Sequence, residues 1–387
     1  MRILLLYADA TQTLPVSRSL HKKRHTVDGV FASKWSYGYP SRFISKRYMF
    51  SDVENAEAYY EFVRNVLTQT KYDSIIPMND DSAVMISKYR AELQALTAFV
   101  MPDFETFTKG YDKNLLMQLC SEKGYPHPKT VTISGGKIED VSLGNLRFPL
   151  LIKPNYTSGG RGMTLVNNQE ELLKIFPSIY KDFGDCHLQE YIPQGGAQVE
   201  IQLYIDGNGQ LVQSSVIKKF RWYPENGGSS SCNVSWADDK IVDTCYHILC
   251  DIGWVGFADF DTIEDPRTGE LLIMEINPRL PACVKTCFAS GIDWADIILC
   301  ECFGLPHKKY TMQKEAYLRH LGFEMLWFFY SKNRWKTKPN WFKLIGRHIH
   351  YQDMSGWSDP LPFLFGTFGN IKKQLSPDFR KTKSGTR

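Results

Sequence analysis

The stretch LLIMEINPRL, residues 271–280, does most to narrow the folds open to this chain. Its apolar start reads as a buried strand, after which Glu275, Asn277 and Arg279 fall on alternate positions. Successive strand side chains point to opposite faces, so these three polar groups share one face. An acid and a guanidinium are rarely buried without partners. Just upstream lie VGFADFDTI and the turn EDPRTG. A hairpin closing symmetrically about Arg267 sets Asp259, Asp261, Glu275 and Asn277 on one face. Three carboxylates and an amide oxygen suit a hard cation. Magnesium is usually held by one or two carboxylates together with substrate phosphates. The competing reading is a surface salt-bridge cluster around Arg279, which the apolar flanks oppose.

A metal of that kind needs phosphates, and PLLIKPNYTSGGRGM offers a place for them. An apolar strand delivers Lys153, and Ser158, Gly159, Gly160, Arg161 and Gly162 follow. Glycines let backbone N–H groups approach phosphate oxygens, and the lysine adds a point charge. A plain hairpin loop is the alternative. Lys113, on a helix expected from about 111 to 123, is a second cation, or else a solvated helix lysine. In HLQEYIPQGGAQVEIQLYID, the 189–192 strand end could offer backbone groups to a base edge. Gln198 and Glu200 share a face of the next strand and could bond ribose hydroxyls, unless this is an ordinary edge pair.

The rest of the chain is alternating strand and helix. RILLLYA, VDGVFAS and YDSIIPM read as buried parallel strands, with helical periodicity in AEAYYEFVRNVLTQ and SAVMISKYRAELQAL. This is a small doubly wound unit. Its first turn, ADATQT, lacks the glycines of a dinucleotide fingerprint. PMND ends a strand at residues 79–81, where open α/β sheets gather ligands; Asp80 or Asp81 as a helix cap is the rival. Short strands and one helix follow over 129–187, a strand-rich region over 188–279, and helices at 282–290 and 293–303. The run ILLLY is too short for a signal peptide or a span. Nine cysteines without a CxxC pair point to reduced, mostly buried thiols and a cytoplasmic location.

In combination the motifs YDSIIPMNDD, GYDKNLLMQLCSEKGYPHP, PLLIKPNYTSGGRGM, QEYIPQGG and MEINPR resemble the ATP-grasp superfamily. Within it the chain is similar to carbamoyl phosphate synthase large-subunit modules and D-aspartate ligases. IKKFRWYP and WSDPLPF look more narrowly like D-aspartate ligases and ligases of surface-polymer pathways. The resemblance implies an α/β fold with three parts: a doubly wound pre-ATP-grasp domain over 1–104, an ATP-grasp domain over 105–305 whose small mobile α+β lid covers about 129–187, and an extension over 306–387. It implies that Lys113 and Lys153 hold the nucleotide phosphates under the loop from Ser158 to Met163. Glu190, Tyr191 and Ile192 would form the adenine hinge, with ribose near Gln198. Asp261, Glu275 and Asn277 would bind magnesium or manganese, and Arg279 would face an acyl phosphate. Lys219 and Arg221 would line the carboxylate pocket beside residues 227–231; a solvated basic strand is the alternative. Two positions depart from the family pattern. Gln198 replaces an acidic or histidine ribose ligand, and Asp261 replaces a longer Glu or Gln, which leaves Asp259 as a substitute.

The activity so implied is ATP-dependent carboxylate–amine ligation through an acyl phosphate, with ATP and a divalent cation, and the narrower resemblance implies amino-acid ligation in peptidoglycan or surface-polymer synthesis. Ligation to a thiol, carboxylate phosphorylation and a non-catalytic nucleotide sensor are the alternatives. Small carboxylate and amine substrates, no nucleic acid and a homodimer are the partner expectations. Residues 307–387 carry 16 Lys and Arg against 5 Asp and Glu. There the aromatic block YLRHLGFEMLWFFY runs into Lys332, Arg334, Lys336 and Lys338. Such a segment either packs its rings into the body or approaches a membrane or lipid-linked acceptor.

Overall fold

The computed structural model of the protein describes residues 1–375 apart from 134, 140, 158–159 and 226–228. Three sheets organise it. The first is all parallel, in the order Arg47–Met49, Thr26–Phe31, Arg2–Leu6, Ser74–Pro77. Its inner strands are buried on both faces, as crossover helices require. The helices Thr13–Lys22, Ala56–Gln69 and Asp80–Lys88 supply those crossovers. The cap of the last is Asn79, which accepts from the Ser82 amide while the Ser82 hydroxyl returns to the Asn79 amide. Neither Asp80 nor Asp81 is the cap, and Asp80 is thereby released to point elsewhere.

The central sheet has seven strands: Leu271–Asn277, Gly256–Glu264, Gln198–Ile205, Leu211–Tyr223, Ser229–Trp236, Tyr317–Arg319 and Ile349–Tyr351. All pairs are antiparallel except the last. The segment after residue 306 therefore does not stand apart, since it contributes two strands of this sheet. The third sheet, in the order Thr130–Thr132, Cys186–Glu190, Leu150–Pro154, Thr164–Val166, is covered by the helix Gln169–Phe183. It has its own apolar core, in which Leu150, Ile152, Leu172, Phe176 and Leu188 are essentially inaccessible. The first two sheets instead share cores: Leu4, Tyr59 and Met85 belong with Ile201, Trp254 and Phe260.

Beyond the sheet strands, the basic end folds around one carboxylate. The helix Leu321–Tyr330 buries Glu324 and Trp327. Glu324 receives Arg221 Nε at 2.8 Å and Nη2 at 2.7 Å, Arg319 Nε at 2.8 Å and Nη2, and the Ser231 hydroxyl at 3.1 Å. Other apolar side chains remain outside: Phe329, Tyr330, Trp335, Phe342 and Ile345 are all more than half exposed. Six of the nine cysteines are buried and all are free thiols. Among the described residues no helix is long and apolar enough to cross a membrane.

Candidate nucleotide and metal site

The hairpin anticipated from the sequence forms, with a shifted register. Asp259 pairs with Asn277 and Asp261 with Glu275, two residues further along than closure about Arg267 requires. A bulge between Asp261 and Thr262 absorbs one residue. Because the displacement is even, the four side chains still share one face. Gln198, Glu200 and Gln202 of the neighbouring strand stand opposite Ile263, Asp261 and Asp259, so they share that face too.

Cations surround this oxygen-rich face. Lys113, at the first turn of the helix Lys113–Lys123, is buried rather than solvated. Its ammonium donates to the Thr157 carbonyl at 2.7 Å and lies 3.3 Å from Glu275. Lys153 enters from Leu150–Pro154 of the third sheet and donates to Gln189 Oε1 at 3.2 Å. Lys219 sits 2.5 Å from Glu200 and 3.0 Å from Asp261. Arg279 reaches Asp80 at 3.1 Å, Asp259 at 3.6 Å and Asn277 Oδ1 at 3.1 Å. Burial alone would pull the Arg279 pKa down, but Asp80, Asp259, Asp261 and Glu200 more than offset that and raise it. It remains a fixed positive charge.

The two candidate aspartates differ in access. Asp259 is buried behind the strand, and burial, then Glu200 and Asp261, push its carboxyl well above the usual range. Asp261 lines the cleft between the third and central sheets, as do Glu275, Lys113, Lys153, Gln198 and Met163. Asp261 is thus the accessible carboxylate. Two carboxylates and an amide oxygen match the donor chemistry of magnesium completed by phosphates. No cluster of three or more His, Cys, Asp or Glu side chains occurs among the described residues, so the protein alone makes no closed cage. His187, fully buried and hydrogen-bonded to Asn155, is held neutral by burial and then by Lys153 and Lys113.

Several expected positions fall elsewhere. Arg221 is not at this site. Register shifts between Lys219 and Arg221, and again between Arg221 and Trp222, break the alternation that would have put the two on one face. Arg221 turns instead to Glu324, Thr337 and the Pro339 carbonyl. Glu200 does not line the cleft, and Lys219 and the Cys283 thiol, each at 2.5 Å, bond its two oxygens. Gly160 lines the cleft at φ 75°, whereas Gly162, at φ 72°, packs where a Cβ would lie 2.7 Å from the Phe183 ring. Ser158 and Gly159, like residues 227 and 228, lie outside the described residues. Glu190 and Ile192 line the cleft; the Glu190 amide is already bonded to the Lys129 carbonyl. Tyr191 follows that strand end at an intermediate exposure.

Sequence reasoning missed Gln189, whose buried Nε2 has no protein partner among the described residues while it faces the cleft. An orphaned donor beside Lys153 suits an acceptor on a ligand. It missed Asp80 as the partner of Arg279; the recognisable signal was the stronger capping sequence Asn79-x-x-Ser82.

Residues 112–301 match the family described as carbamoyl-phosphate synthase L chain, ATP binding domain. The chain carries an ATP-grasp domain. A D-aspartate ligase from Enterococcus faecium is 27% identical over 225 residues, 53% of this chain and 52% of that protein. The chain thus spans about half the length of that relative. Among solved ATP-grasp structures, a biotin carboxylase from Campylobacter jejuni in complex with a βγ-ATP ligand superposes with a TM-score of 0.67 at 17% identity, over 81% of this chain and 74% of that one. An L-amino acid ligase from Bacillus licheniformis gives 0.61 at 15%, over 78% and 73%. At such identities the likeness establishes the ATP-grasp fold, with the cleft described above inside the matched domain.

Proposed function

We propose that the protein is an ATP-dependent carboxylate–amine ligase. The observation that carries this reading is the accessible oxygen set of Asp261, Glu275 and Asn277, ringed by Lys113, Lys153, Lys219 and Arg279, in an ATP-grasp cleft. The nucleotide lies between the third and central sheets, with adenine near Glu190 and Ile192, ribose near Gln198, and phosphates near Lys113, Lys153 and the Gly160 turn. Asp261, Glu275 and Asn277 would hold magnesium, which neutralises charge on the phosphoryl group when bound. A substrate carboxylate oxygen attacks the γ-phosphorus, the bond to the bridging oxygen breaks, and ADP leaves. Arg279 faces the resulting acyl phosphate, and an amine then displaces phosphate to form an amide.

The D-aspartate ligase and L-amino acid ligase among the relatives support an amine acceptor over a thiol and over simple phosphorylation. Amino-acid ligation in surface-polymer synthesis is the setting suggested by the resemblance of IKKFRWYP and WSDPLPF to ligases of such pathways. A purely sensing role leaves the oxygen set unexplained. The exposed rings and lysines after residue 328 attach to this reading as a face for an anionic lipid or lipid-linked acceptor. Hydroxylamine capture tests the first half-reaction. Incubating the protein with ATP, magnesium and a panel of carboxylates should give a hydroxamate with at least one. ADP release without hydroxamate from any of them would refute the ligase.

A further inference from the structure

A second cavity, of about 620 Å³, lies between the N-terminal lobe and the helix Leu361–Leu375. Its floor is the carboxyl edge of the parallel sheet, where ligands of open α/β sheets collect. Asp9 stands three residues beyond the strand Arg2–Leu6, and Asp80 three residues beyond the adjacent strand Ser74–Pro77, with Leu6 paired to Pro77. Asp80 holds Arg279, and Ala282, three residues after Arg279, lines the cavity and accepts from Thr11. The cavity therefore lies on the same sheet edge as Asp80, the partner of the arginine that the proposed function sets against the acyl phosphate.

Its roof is a built surface. The helix Leu361–Leu375 lies so close that a Cβ on Gly366 would come within 2.1 Å of the Tyr37 ring. One on Gly369 would come within 1.9 Å of the Trp35 carbonyl oxygen. Only glycine permits that approach. Trp35 also stacks on Phe365, and Asn370 donates to the Tyr37 hydroxyl. The charged residues lining the chamber, among those described, are Asp9 below and Lys372 and Lys373 above; His320 is kept neutral by burial. Asp9 accepts the Ala32 and Ser33 amides at 2.9 Å each and a hydrogen bond from the Ser36 side chain, which leaves its carboxylate one further lone pair. Lys373 is near enough for its charge to act on Asp9.

An acid on the floor repels a carboxylate donor and attracts an ammonium, and the rings of Tyr7, Trp35 and Tyr37 favour the same charge. We propose that this chamber binds the acceptor, and that the acceptor is a zwitterionic amine, its ammonium at Asp9 and its anionic group at Lys372 and Lys373. This rests on the ligase reading above. The ammonium first loses one proton to solvent. The nitrogen lone pair then forms the C–N bond as the bond from the acyl carbon to phosphate oxygen breaks. Phosphate leaves with that electron pair and takes the second proton from nitrogen.

The test uses the full chain with ATP, magnesium and any carboxylate that yields a hydroxamate. The twenty amino acids are offered as acceptors, each beside its decarboxylated and N-acetylated counterparts. At least one amino acid should be coupled, with a KM at least tenfold below that of its decarboxylated amine. Asp9→Asn should raise that KM at least tenfold while the KM for ATP stays within twofold. Lys373→Gln, on the exposed rim where folding is not at stake, should do the same. Parental acceptor KM in both variants, or equal KM for amino acids and simple amines, would overturn the proposal. Hydroxamate formation with no amino acid coupled would defeat the chamber assignment alone. Absence of hydroxamate from every carboxylate would defeat the ligase reading and this inference together.

Discussion

Glu324 is the place to perturb if Arg221 is structural. Its carboxylate is 1% exposed and takes four guanidinium N–H bonds and a hydroxyl. Glu324→Ala leaves two buried arginines without their counter-charge. Removing one partner of a buried ion pair costs about 3–5 kcal/mol. Some relief is available, because Arg221 also bonds Thr337 and the Pro339 carbonyl, and Arg319 the Lys343 and Trp341 carbonyls. About 4 kcal/mol is expected for alanine. Glutamine keeps one acceptor oxygen, so roughly 2–3 kcal/mol is expected. Trp327 and Trp341 lie under the two guanidiniums and report on the site directly. Urea titration by tryptophan fluorescence, with amide exchange over residues 317–345, measures the effect. Replacing Arg221, Arg319 and Glu324 together with Met, Met and Leu should recover most of the loss, since apolar substitutes of similar volume remove the desolvation cost. A Glu324→Ala protein within about 1 kcal/mol of the parent, with equal exchange, would refute this reasoning. So would an Arg221→Met protein of parental stability whose KM for the carboxylate rose.

At the candidate metal site, Glu275→Gln and Asn277→Ala should each abolish ADP formation with the circular dichroism spectrum intact; turnover at saturating magnesium in both would remove the assignment. The loop at residues 158–163 is expected to close over the phosphates of bound ATP. Its amide exchange should slow when an ATP analogue binds, and identical protection in both states would argue against a lid. Burial raises the Asp9 carboxyl to about 6, against about 3.9 in an unfolded chain, so the fold gains stability below pH 4 that is lost as pH rises through 6. Melting of Asp9→Asn against the parent should therefore favour the variant more at pH 7.5 than at pH 4, by on the order of 2–3 kcal/mol, and a pH-independent difference would contradict it. The exposed Phe329, Tyr330, Trp335 and Ile345 beside Lys332, Lys336 and Lys338 should give salt-sensitive co-sedimentation with anionic liposomes; no binding at low salt would leave these rings unexplained.

What could be read in the sequence was parity. Alternation put Asp259, Asp261, Glu275 and Asn277 on one face in the assumed register, and the observed shift preserves this because it is even. The shift itself was hidden, since a bulge is a local packing compromise that leaves no residue signature in DFDTI. The same limit misplaced Arg221, where shifts beside Phe220 reverse a reading that strict alternation makes look safe. Lys113 could be told from a solvated helix lysine only through the family resemblance, because its burial comes from Thr157 and Glu275, 44 and 162 positions away. Asp80 was mistaken for a possible cap because Asn79 and Ser82 were not weighed as a reciprocal pair. The chamber under Leu361–Leu375 had no sequence signal, since it depends on where Gly366 and Gly369 land.

The strand Ser229–Trp236 lies next to the sheet's end only because Tyr317–Arg319 and Ile349–Tyr351 cap it. Cut at residue 305, the chain would bare the edge of Ser229–Trp236 that residues 316–320 now pair around Ser231–Ser235, a template for joining sheets between molecules. It would also strip Arg221 of Glu324. The family match ends at residue 301, but the central sheet does not, since its last two strands lie beyond residue 316. Evolutionary and physical boundaries differ here, and a gene fragment drawn at the first would aggregate along that bared edge.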